Sequence, residues 1–349
     1  MKKTILRFDS WRHPVMAEIL SGDDTIELVQ ADRENVEQAS SELARAHVYQ
    51  ISSTRDELPP HCLVTTDLLR RCPHLLCVST SGAGFDTVDV AACTQAGVLV
   101  VNQAGGNAAA VAEHTLGMMI ALSRRLLETD RRLRSERGFA RQDLMGHDIG
   151  GKTLGLVGIG HVGSRVARLA HAFGMTVLAC DPYLAEATIR ARGAEPRSLQ
   201  ALLAEADFVS LHCPRTAETT GMINTGAFGH MKQGSFFLTT ARGGIHDEQA
   251  LVAALASGHL AGAGIDVWDR EPPPLDHPLL KLPNVVASYH LAGVTYEARR
   301  NMAVIAAEQI RVVLNGELPP RLVNPEAWQS YAARFQAILG TPVKGAALG

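Results

Sequence analysis

The stretch KTLGLVGIGHVGSRVARLAHAFGMTVLACD, residues 152–181, decides how this chain folds. It begins with an apolar run typical of a buried strand and continues through the pattern Gly-x-Gly-x-x-Gly at Gly158, Gly160 and Gly163. A helix with apolar residues at helical spacing follows, and a second apolar run comes soon after Gly174. In this context the first glycine permits a tight turn, the second admits a pyrophosphate to the backbone, and the third lets the helix pack on the strand. The stretch therefore predicts a dinucleotide-binding unit.

Asp181, the last residue of the stretch, predicts which dinucleotide binds. It lies eighteen residues after Gly163, where a carboxylate can accept hydrogen bonds from the adenosine ribose hydroxyls. The same carboxylate would repel the 2′-phosphate of NADP, and the next residue is Pro182 rather than an arginine. We therefore predict NAD as the cofactor.

Length and charge limit the classes of partner. The chain has 349 residues, enough for two domains, and its net charge of -3 gives no bulk attraction to nucleic acid or anionic membranes. The six cysteines show no spacing typical of a metal or redox site, and no window is long and apolar enough to span a membrane. Arginines between residues 124 and 141 are interspersed with acidic residues, which favours a solvated arm or a subunit contact over nucleic-acid binding. We expect a cytoplasmic protein with free thiols, no metal, and neither nucleic acid nor a membrane as partner.

Strand-like runs alternate with helical stretches along the whole chain, which predicts the α/β class with parallel sheets. The first part has five such runs and no glycine fingerprint, whereas the second part has six, which predict a doubly wound sheet. The expected strands are 4–8, 25–29, 48–52, 75–80, 98–102, 153–157, 176–180, 207–212, 236–240, 262–266 and 285–289. Helices are expected over 107–127, 295–314 and 326–339.

The tail after residue 314 is too short to fold alone, so we expect it to return to the first domain. The predicted architecture is two Rossmann-like parallel α/β domains with a cleft between them, the first domain being discontinuous. Residues 1–108 and 293–349 are expected to form a flavodoxin-like, substrate-binding domain, and residues 109–292 the NAD-binding Rossmann domain. The last residues, 341–349, are expected to be a loose end.

Polar residues follow the last three strands, at the edge where ligands of an open parallel sheet bind. In the second part of the chain, Arg242 comes after the fourth strand, 236–240, and Asp266 ends the fifth, 262–266. Glu271 lies five residues after Asp266, and His290 follows the sixth strand, 285–289. A guanidinium fork can bind a carboxylate and polarise the neighbouring keto oxygen, and a histidine that titrates near neutral pH can exchange a proton with that oxygen. A carboxylate in contact with the histidine stabilises its protonated form. These groups suit hydride transfer to a carbonyl, with Asp266 expected to hold the nicotinamide carboxamide.

Two further segments contain residues that could bind a ligand or take part in chemistry. The loop at 79–86 is rich in small residues, and its consecutive amides can hold a carboxylate, although a plain tight turn explains it equally well. Glu113 and His114, within the first long helix, are expected to be structural residues.

The ordered motifs resemble the D-isomer-specific 2-hydroxyacid dehydrogenase family, which includes phosphoglycerate dehydrogenase, glycerate dehydrogenase and hydroxypyruvate reductase. The matching segments are 158–163 with Asp181, 211–214, 241–245, 264–267, 271–272 and 290–293. The resemblance implies an NAD-dependent homodimeric oxidoreductase that interconverts a small 2-oxo acid and its D-2-hydroxy acid.

The resemblance also implies roles for individual residues. It assigns proton exchange to His290, its tuning to Glu271 and the substrate carboxylate to Arg242. The expected substrate-binding residues are Ser81, Gly82, Ala83, Gly84, Arg242 and His290. The expected cofactor-binding residues are Gly158, Gly160, His161, Val162, Gly163, Asp181, Cys213, Pro214, Thr240, Ala241, Arg242, Asp266, His290 and Gly293.

Three positions depart from the family pattern. His161 replaces an arginine that touches the pyrophosphate in many relatives, Tyr289 replaces a frequent proline, and Thr80 replaces an arginine of phosphoglycerate-type members, which weakens the case for a phosphorylated substrate. We also expect neither the regulatory domain of longer phosphoglycerate dehydrogenases nor effector feedback of the kind that it provides.

Two alternatives stay open from the sequence alone. The first is a dehydrogenase-like NAD(H)-sensing binding protein, similar to the related corepressors, without significant turnover. The second, formate dehydrogenase, is disfavoured because Glu271 supplies the acid that a protonating histidine needs, whereas formate oxidation requires no general acid.

Overall fold

The computed structural model describes residues 2–344 and divides into two compact units. The first unit holds the described residues up to Asn107 and from Thr295 onward, and the second holds Ala108–Val294. Residues 345–349, which make up part of the expected loose end, lie outside the described residues.

The strands follow one another along the chain with helices between them, as in other α/β folds. They are β1 (Lys3–Phe8), β2 (Ile26–Ala31), β3 (Val48–Ile51), β4 (Cys77–Thr80), β5 (Leu99–Val101), β6 (Thr153–Val157), β7 (Thr176–Cys180), β8 (Glu195–Pro196), β9 (Phe208–Leu211), β10 (Ser235–Thr239), β11 (Leu260–Ile265) and β12 (Val285–Ala287). The α-helices are α1 (Val15–Leu20), α2 (Val36–Arg45), α3 (Thr66–Arg71), α4 (Val90–Gln95), α5 (Ala108–Ser123), α6 (Leu126–Ser135), α7 (His161–Ala172), α8 (Glu186–Ala191), α9 (Leu199–Glu205), α10 (Thr225–His230), α11 (Glu248–Ala256), α12 (Tyr296–Leu314) and α13 (Trp328–Leu339). Short 3₁₀ turns cover Arg55–Glu57, Pro60–Cys62, Arg141–Leu144, Pro278–Lys281 and Pro325–Ala327.

The sheet of the first unit is parallel and has the order β2-β1-β3-β4-β5, which is the flavodoxin-like order. Its central strands are buried along their whole length because helices cover both faces. The chain's tail completes this core: Trp328, Tyr331 and Phe335 of α13 are each at most 3% exposed and pack with α12 against the sheet. The first unit is therefore built from two separate parts of the sequence.

The sheet of the second unit has the order β12-β11-β10-β9-β6-β7-β8, which is the Rossmann order with one added strand. The order reverses between β6 and β9, so the glycine stretch that follows β6 lies at the switch point where nucleotides bind. This sheet has seven strands, one more than the six expected from the sequence. The missed β8 is a two-residue edge strand that contains Pro196, which only an edge tolerates.

The single long helix expected over 107–127 is wrong, because α5 ends at Ser123 and α6 starts at Leu126. Arg125 lies between them in the left-handed region, with φ of 52°. Its side chain donates to both carboxylate oxygens of Glu128 at 2.8 Å and to the carbonyl of Asp143 at 2.9 Å. The α6 helix buries no residue, so the arginine-rich segment presents its side chains outward from this unit.

Several absences can be stated for residues 2–344. No helix there combines the length and apolar composition that crossing a bilayer requires. No group of three or more His, Cys, Asp or Glu side chains in the same residues is arranged to hold a metal ion. All six cysteines lie in the described part and carry no disulfide, and four of them are buried.

Candidate active site

The glycine turn after β6 has two crowded positions and one open position. Gly158 has φ of 91°, and a Cβ atom there would lie 2.9 Å from the backbone nitrogen of Cys213. A Cβ atom on Gly163 would overlap the carbonyl oxygen of Gly158, so the helix packs on the turn only without a side chain. At Gly160 a Cβ atom would meet nothing within 4 Å. The fold requires two of these glycines, while the third leaves open space beside the backbone.

The start of α7 offers unused hydrogen-bond donors next to that space. The N–H groups of residues 160–163 donate to no acceptor in the described part of the chain, and no side chain caps the helix. His161 is exposed and Val162 is half-buried at this end. Since a helix N-terminus also carries the positive end of the dipole, it suits an anionic pyrophosphate.

Asp181 is fixed beside the same turn. Its Oδ2 accepts the N–H of Ile159 at 3.1 Å, and its Oδ1 accepts the N–H of Tyr183 at 3.2 Å. These bonds hold the carboxylate at the end of β7 without burying it. The open cradle at Gly160, the free amides of α7 and this acid together fit an NAD molecule with its adenosine ribose toward Asp181.

The loops after β9 and β10 supply the other residues expected near the cofactor. Cys213 is half-buried against the glycine turn, and burial raises the pKa of its thiol to about 11, so it is protonated near neutral pH. Pro214 is exposed beside it. Thr240 and Ala241 are buried where β10 ends, and Thr240 Oγ1 lies 3.4 Å from Thr115 Oγ1.

His290 and Glu271 form a direct pair. His290 Nδ1 lies 2.8 Å from Glu271 Oε2, and their side chains are 25% and 15% exposed. Glu271 Oε1 also accepts the N–H of Trp268 at 3.1 Å, which fixes the carboxylate. His290 Nε2 has no hydrogen-bond partner within the described residues. The second ring nitrogen is therefore available to a ligand.

Glu271 is held in its ionised form. Burial raises the pKa of this carboxyl group, but the hydrogen bond and charge of His290, the Trp268 amide and the charge of Arg242 outweigh it, so that the pKa is lowered. An ionised Glu271 fixes the proton of the pair on Nδ1 when His290 is neutral. This arrangement favours the tautomer that leaves Nε2 free to accept a proton.

Asp266 holds the loop that carries His290. Its carbonyl oxygen accepts the His290 N–H at 2.6 Å, and its carboxylate accepts the hydroxyl of Ser288 at 2.6 Å and the amides of Leu291 and Ala292 at 2.8 and 3.0 Å. The Asp266 side chain is only 1% exposed. The expected contact with the nicotinamide carboxamide stays a prediction, and it requires this carboxylate to become accessible.

Two further residues contact this network: His114, which was expected to be a structural residue, and Ser288, which was not among the expected site residues. His114 Nε2, on α5, lies 3.0 Å from Ser288 Oγ and 3.8 Å from Asp266 Oδ1. The carbonyl of Ser288 accepts the indole N–H of Trp268 at 2.9 Å. Ser288 precedes the catalytic candidate by two residues, and that spacing is the one available signal. His114 gives none, because its partner is 174 positions away.

Arg242 follows β10 on a backbone that packs closely on its neighbour. A Cβ atom at Gly243 would overlap the carbonyl of Trp268, and Gly244 has φ of 77°. Arg242 Nη1 donates to the carbonyl of Ala241 at 2.7 Å. The positive charge of Arg242 contributes to the lowered pKa of Glu271. The guanidinium therefore interacts electrostatically with the pair formed by Glu271 and His290. Gly293, the last cofactor candidate, is half-buried in the loop that follows this pair.

The loop after β4, in the first unit, turns its carbonyls inward. The carbonyl of Gly82 accepts the Gln103 N–H at 2.9 Å and the Thr80 hydroxyl at 3.0 Å, and that of Ala83 accepts Asn102 Nδ2 at 2.9 Å. The amides of Gly82, Ala83 and Gly84 donate to no acceptor among the described residues. Ser81 uses its own amide on the carbonyl of Ile51 at 2.8 Å. Three successive free amides suit a carboxylate.

Comparison with known proteins adds a family. Residues 116–292 match the family model described as "D-isomer specific 2-hydroxyacid dehydrogenase, NAD binding domain", and this segment lies within the second unit. The predictions of the family, the fold class and NAD as cofactor are thereby confirmed.

Three relatives indicate the range of similar proteins. A D-3-phosphoglycerate dehydrogenase of Archaeoglobus fulgidus is 40% identical over 258 residues, which are 74% of this chain and 49% of that protein. A glyoxylate reductase of Korarchaeum cryptofilum is 36% identical over 310 residues, which cover 82% of this chain and 93% of the reductase. The crystal structure of D-lactate dehydrogenase from Aquifex aeolicus, complexed with NAD and lactic acid, is 27% identical with a TM-score of 0.77, covering 92% of this chain and 99% of its own. The chain spans about half the length of the phosphoglycerate dehydrogenases it matches.

Proposed function

Because the chain belongs to the D-isomer-specific 2-hydroxyacid dehydrogenase family, we propose that it interconverts a 2-oxo acid and its D-2-hydroxy acid in an NAD-dependent reaction. The observation that carries the proposal is the 2.8 Å contact between His290 Nδ1 and Glu271 Oε2. The other ring nitrogen, Nε2, has no partner in the described chain. A general acid–base residue requires such a free nitrogen to exchange a proton with the substrate.

His290 exchanges the proton in this proposal. In reduction its Nε2–H donates to the keto oxygen of the substrate as the hydride arrives at the adjacent carbon, and in oxidation Nε2 accepts the hydroxyl proton. Glu271 stabilises the imidazolium by its charge and orients the ring by its bond to Nδ1. The nicotinamide cofactor, when bound, would supply the hydride as NADH in reduction and accept it as NAD in oxidation.

Substrate binding is proposed to use two kinds of donor. The Arg242 guanidinium offers paired N–H groups to the substrate carboxylate and polarises the neighbouring carbonyl oxygen. The free amides of residues 82–84 offer a second set of donors for a carboxylate. Both sets favour an acid over an aldehyde or ketone without a carboxylate.

NADH consumption against a panel of 2-oxo acids tests the proposal. The panel holds glyoxylate, hydroxypyruvate, 3-phosphohydroxypyruvate, pyruvate and bulkier 2-oxo acids, with NADPH run in parallel. We expect turnover of at least one acid, and a kcat about 10² to 10⁴ lower in His290→Ala with NADH affinity nearly unchanged.

The matched control is His277→Ala. His277 is the second glutamate-paired histidine of this unit, 3.0 Å from Glu248, and its loss should leave kcat near the wild-type value. Binding of NADH without turnover on the whole panel would contradict the proposal and favour the sensing protein. Homodimerisation and a cytoplasmic location stay predictions, the first of which light scattering of the purified protein would decide.

A further inference from the structure

Three arginines, none of which has been assigned a role so far, converge at the carboxyl end of the first unit's sheet. We call the arginine pocket the cavity of about 30 Å³ lined by Arg7, Arg12, Arg33, Ser52 and Glu57, with room for one or two waters. Arg7 is the last but one residue of β1, and Ser52 follows β3, its neighbour in the sheet. The pocket thus occupies the edge at which parallel sheets bind ligands.

Arg7 is the least expected of these residues, since its side chain is almost fully enclosed. The residue is 5% exposed, and its Nε donates to the carbonyl of Ser10 at 2.7 Å. Its terminal nitrogens donate to no acceptor among the described residues, although a guanidinium has five N–H donors. Burial lowers the pKa of Arg7 to about 10, which still leaves it charged near neutral pH. A buried cation with unused donors needs an anionic or polar partner in the cavity.

Glu57 supplies one carboxylate to this group of cations. Its carboxylate accepts from Arg12 and from the hydroxyl of Ser52, and its backbone carbonyl accepts from Arg33. Arg33 also lies 3.4 Å from Asp9. Among the residues that line the pocket, three arginines face the two carboxylates of Asp9 and Glu57, and Arg33 also lies 3.4 Å from Glu34 outside the lining.

The side chain of Glu57 lies where another carboxylate could displace it. It ends the short 3₁₀ turn Arg55–Glu57 in the loop after β3, and its side chain is 37% exposed. Outward rotation of this side chain would free Arg12 and Ser52 and enlarge the cavity. An incoming carboxylate would then meet the same donors that Glu57 uses.

The pocket lies close to the proposed carboxylate loop within the same unit. In the parallel sheet, Arg7 of β1 lies opposite Gln50 of β3, and Gln50 lies opposite Ser79 of β4. Two strand spacings, about 10 Å, therefore separate the end of β1 from the end of β4. The loops also touch, because a Cβ atom on Gly82 would lie 2.7 Å from Ser53 Oγ. A small molecule with an acidic group at each end can reach both sets of donors.

We propose that the arginine pocket binds a second carboxylate of the substrate, so that the chain acts on dicarboxylic 2-oxo and 2-hydroxy acids; this rests on the proposed function. When no substrate is bound, the carboxylate of Glu57 occupies the position that this second carboxylate would take. A single oxygen, Glu57 Oε2, accepts from both Arg12 and Ser52, and a carboxylate of the substrate can take the place of this carboxylate group.

The test compares 2-oxoglutarate with 2-oxopentanoate, a monoacid of equal chain length, and with 3-phosphohydroxypyruvate. We expect kcat/KM for the diacid to exceed that for the monoacid by about 10- to 100-fold, the value of hydrogen bonds to a charged group. Arg12→Gln should remove this ratio, and Glu57→Gln should lower KM for the diacid. The control Arg45→Gln, which breaks a surface ion pair with Glu27 of the same unit, should leave the ratio unchanged.

A binding measurement separates this proposal from the reaction itself. Glutarate should raise the melting temperature of the full chain more than butyrate does, and Arg12→Gln should abolish the difference. If no 2-oxo acid is turned over but this shift appears, the proposed function fails and the anion site stands. Equal kcat/KM for diacid and monoacid without a glutarate shift overturns the pocket, and a preference for the phosphorylated acid that depends on Arg12 overturns the carboxylate assignment.

Discussion

Asp266 binds the backbone of His290 through its carbonyl oxygen at 2.6 Å, and its carboxylate receives the next two amides of the chain. This network supports an unusual conformation, because His290 has φ of 48°, in the left-handed region that a residue with a side chain rarely adopts. Backbone strain of this kind persists only where the surroundings fix it. The orientation of the His290 ring therefore depends on residues that do not touch it.

Ser288→Ala tests that dependence. The change removes the hydroxyl that donates to Asp266 and contacts His114, so the loop loses part of its support. We expect kcat to fall about tenfold, the value of one hydrogen bond to a charged group, while the dissociation constant of NADH stays the same. Ser288→Thr keeps the hydroxyl and should restore kcat. An equal loss in Ser257→Ala, on the exposed end of α11, would show that the effect is not specific to this network.

Glu271→Gln should change the pH dependence of reduction. The lowered pKa of Glu271 keeps it ionised, and its charge favours the protonated imidazole of its partner. With the neutral amide, we expect the rate of 2-oxo acid reduction to decline at a more acidic pH than in the wild type. Steady-state kcat measured from pH 5 to pH 9 checks this, with Glu248→Gln, which breaks the pair with His277, as the control that keeps the wild-type profile.

Glycine substitutions separate folding from cofactor binding. Gly163→Ala should lower the melting temperature, because its Cβ atom would overlap the Gly158 carbonyl. Gly160→Ala should keep the melting temperature and weaken NADH binding about tenfold or more, since its Cβ atom projects into open space beside the free amides. Thermal unfolding and fluorescence titration with NADH measure the two effects. Equal melting temperatures of both variants would contradict the assignment of Gly163.

Asp181→Ala should change cofactor preference. Removal of the carboxylate takes away the acceptor for the ribose hydroxyls and the charge that repels a 2′-phosphate. We expect the dissociation constant of NADH to rise about tenfold and that of NADPH to change less. The ratio of the two constants is its own control, because a general loss of structure would raise both equally.

His246 predicts a loss of stability in mild acid. It is 1% exposed beside Phe237, and neither ring nitrogen has a hydrogen-bond partner in the described chain. Burial lowers its pKa from 6.5 to about 4. The unfolded chain therefore takes up a proton below pH 6.5 while the native protein does not, so the native state loses stability as the pH falls from 6.5 to about 4, by at most about 3 kcal/mol from this residue.

His246→Val should reduce that dependence on pH. Urea unfolding at pH 7 and pH 5 should show a smaller difference in unfolding free energy than in the wild type, with the exposed His171→Gln as control. Part of the difference remains, because burial also lowers the pKa of His47 and His212 to about 4. A variant with the full wild-type difference would rule out His246 as a source.

The sequence predicts local features well where glycines and apolar runs delimit them. The bounds of β6 and β7 agree with the expected 153–157 and 176–180, since a glycine turn follows the one and a glycine precedes the other. The expected strand 285–289 is too long: β12 ends at Ala287, and the hydroxyl of the next residue, Ser288, donates to Asp266.

Features that depend on distant contacts could not be predicted. The break at Arg125 is fixed by carbonyls at Asp143 and Met145, and apolar periodicity continues across it. The arginine pocket combines residues from four loops and strands, none of which carries a recognisable motif. The positions of Arg242, Glu271 and His290 after strand ends predict a common site, but the hydrogen bond between Glu271 and His290 depends on the folded loops and cannot be read from the sequence.

The two-part first unit has a consequence for how the protein forms on the ribosome. Asn324 donates its amide to the carbonyl of Val98 and accepts the N–H of Val100, and Leu322 bridges to Val101. Until those residues emerge, β5 is an exposed apolar edge, while every residue of the second unit has already been synthesised. We therefore expect the later-encoded unit to mature first, and the unit that begins the polypeptide to wait for the tail that closes it.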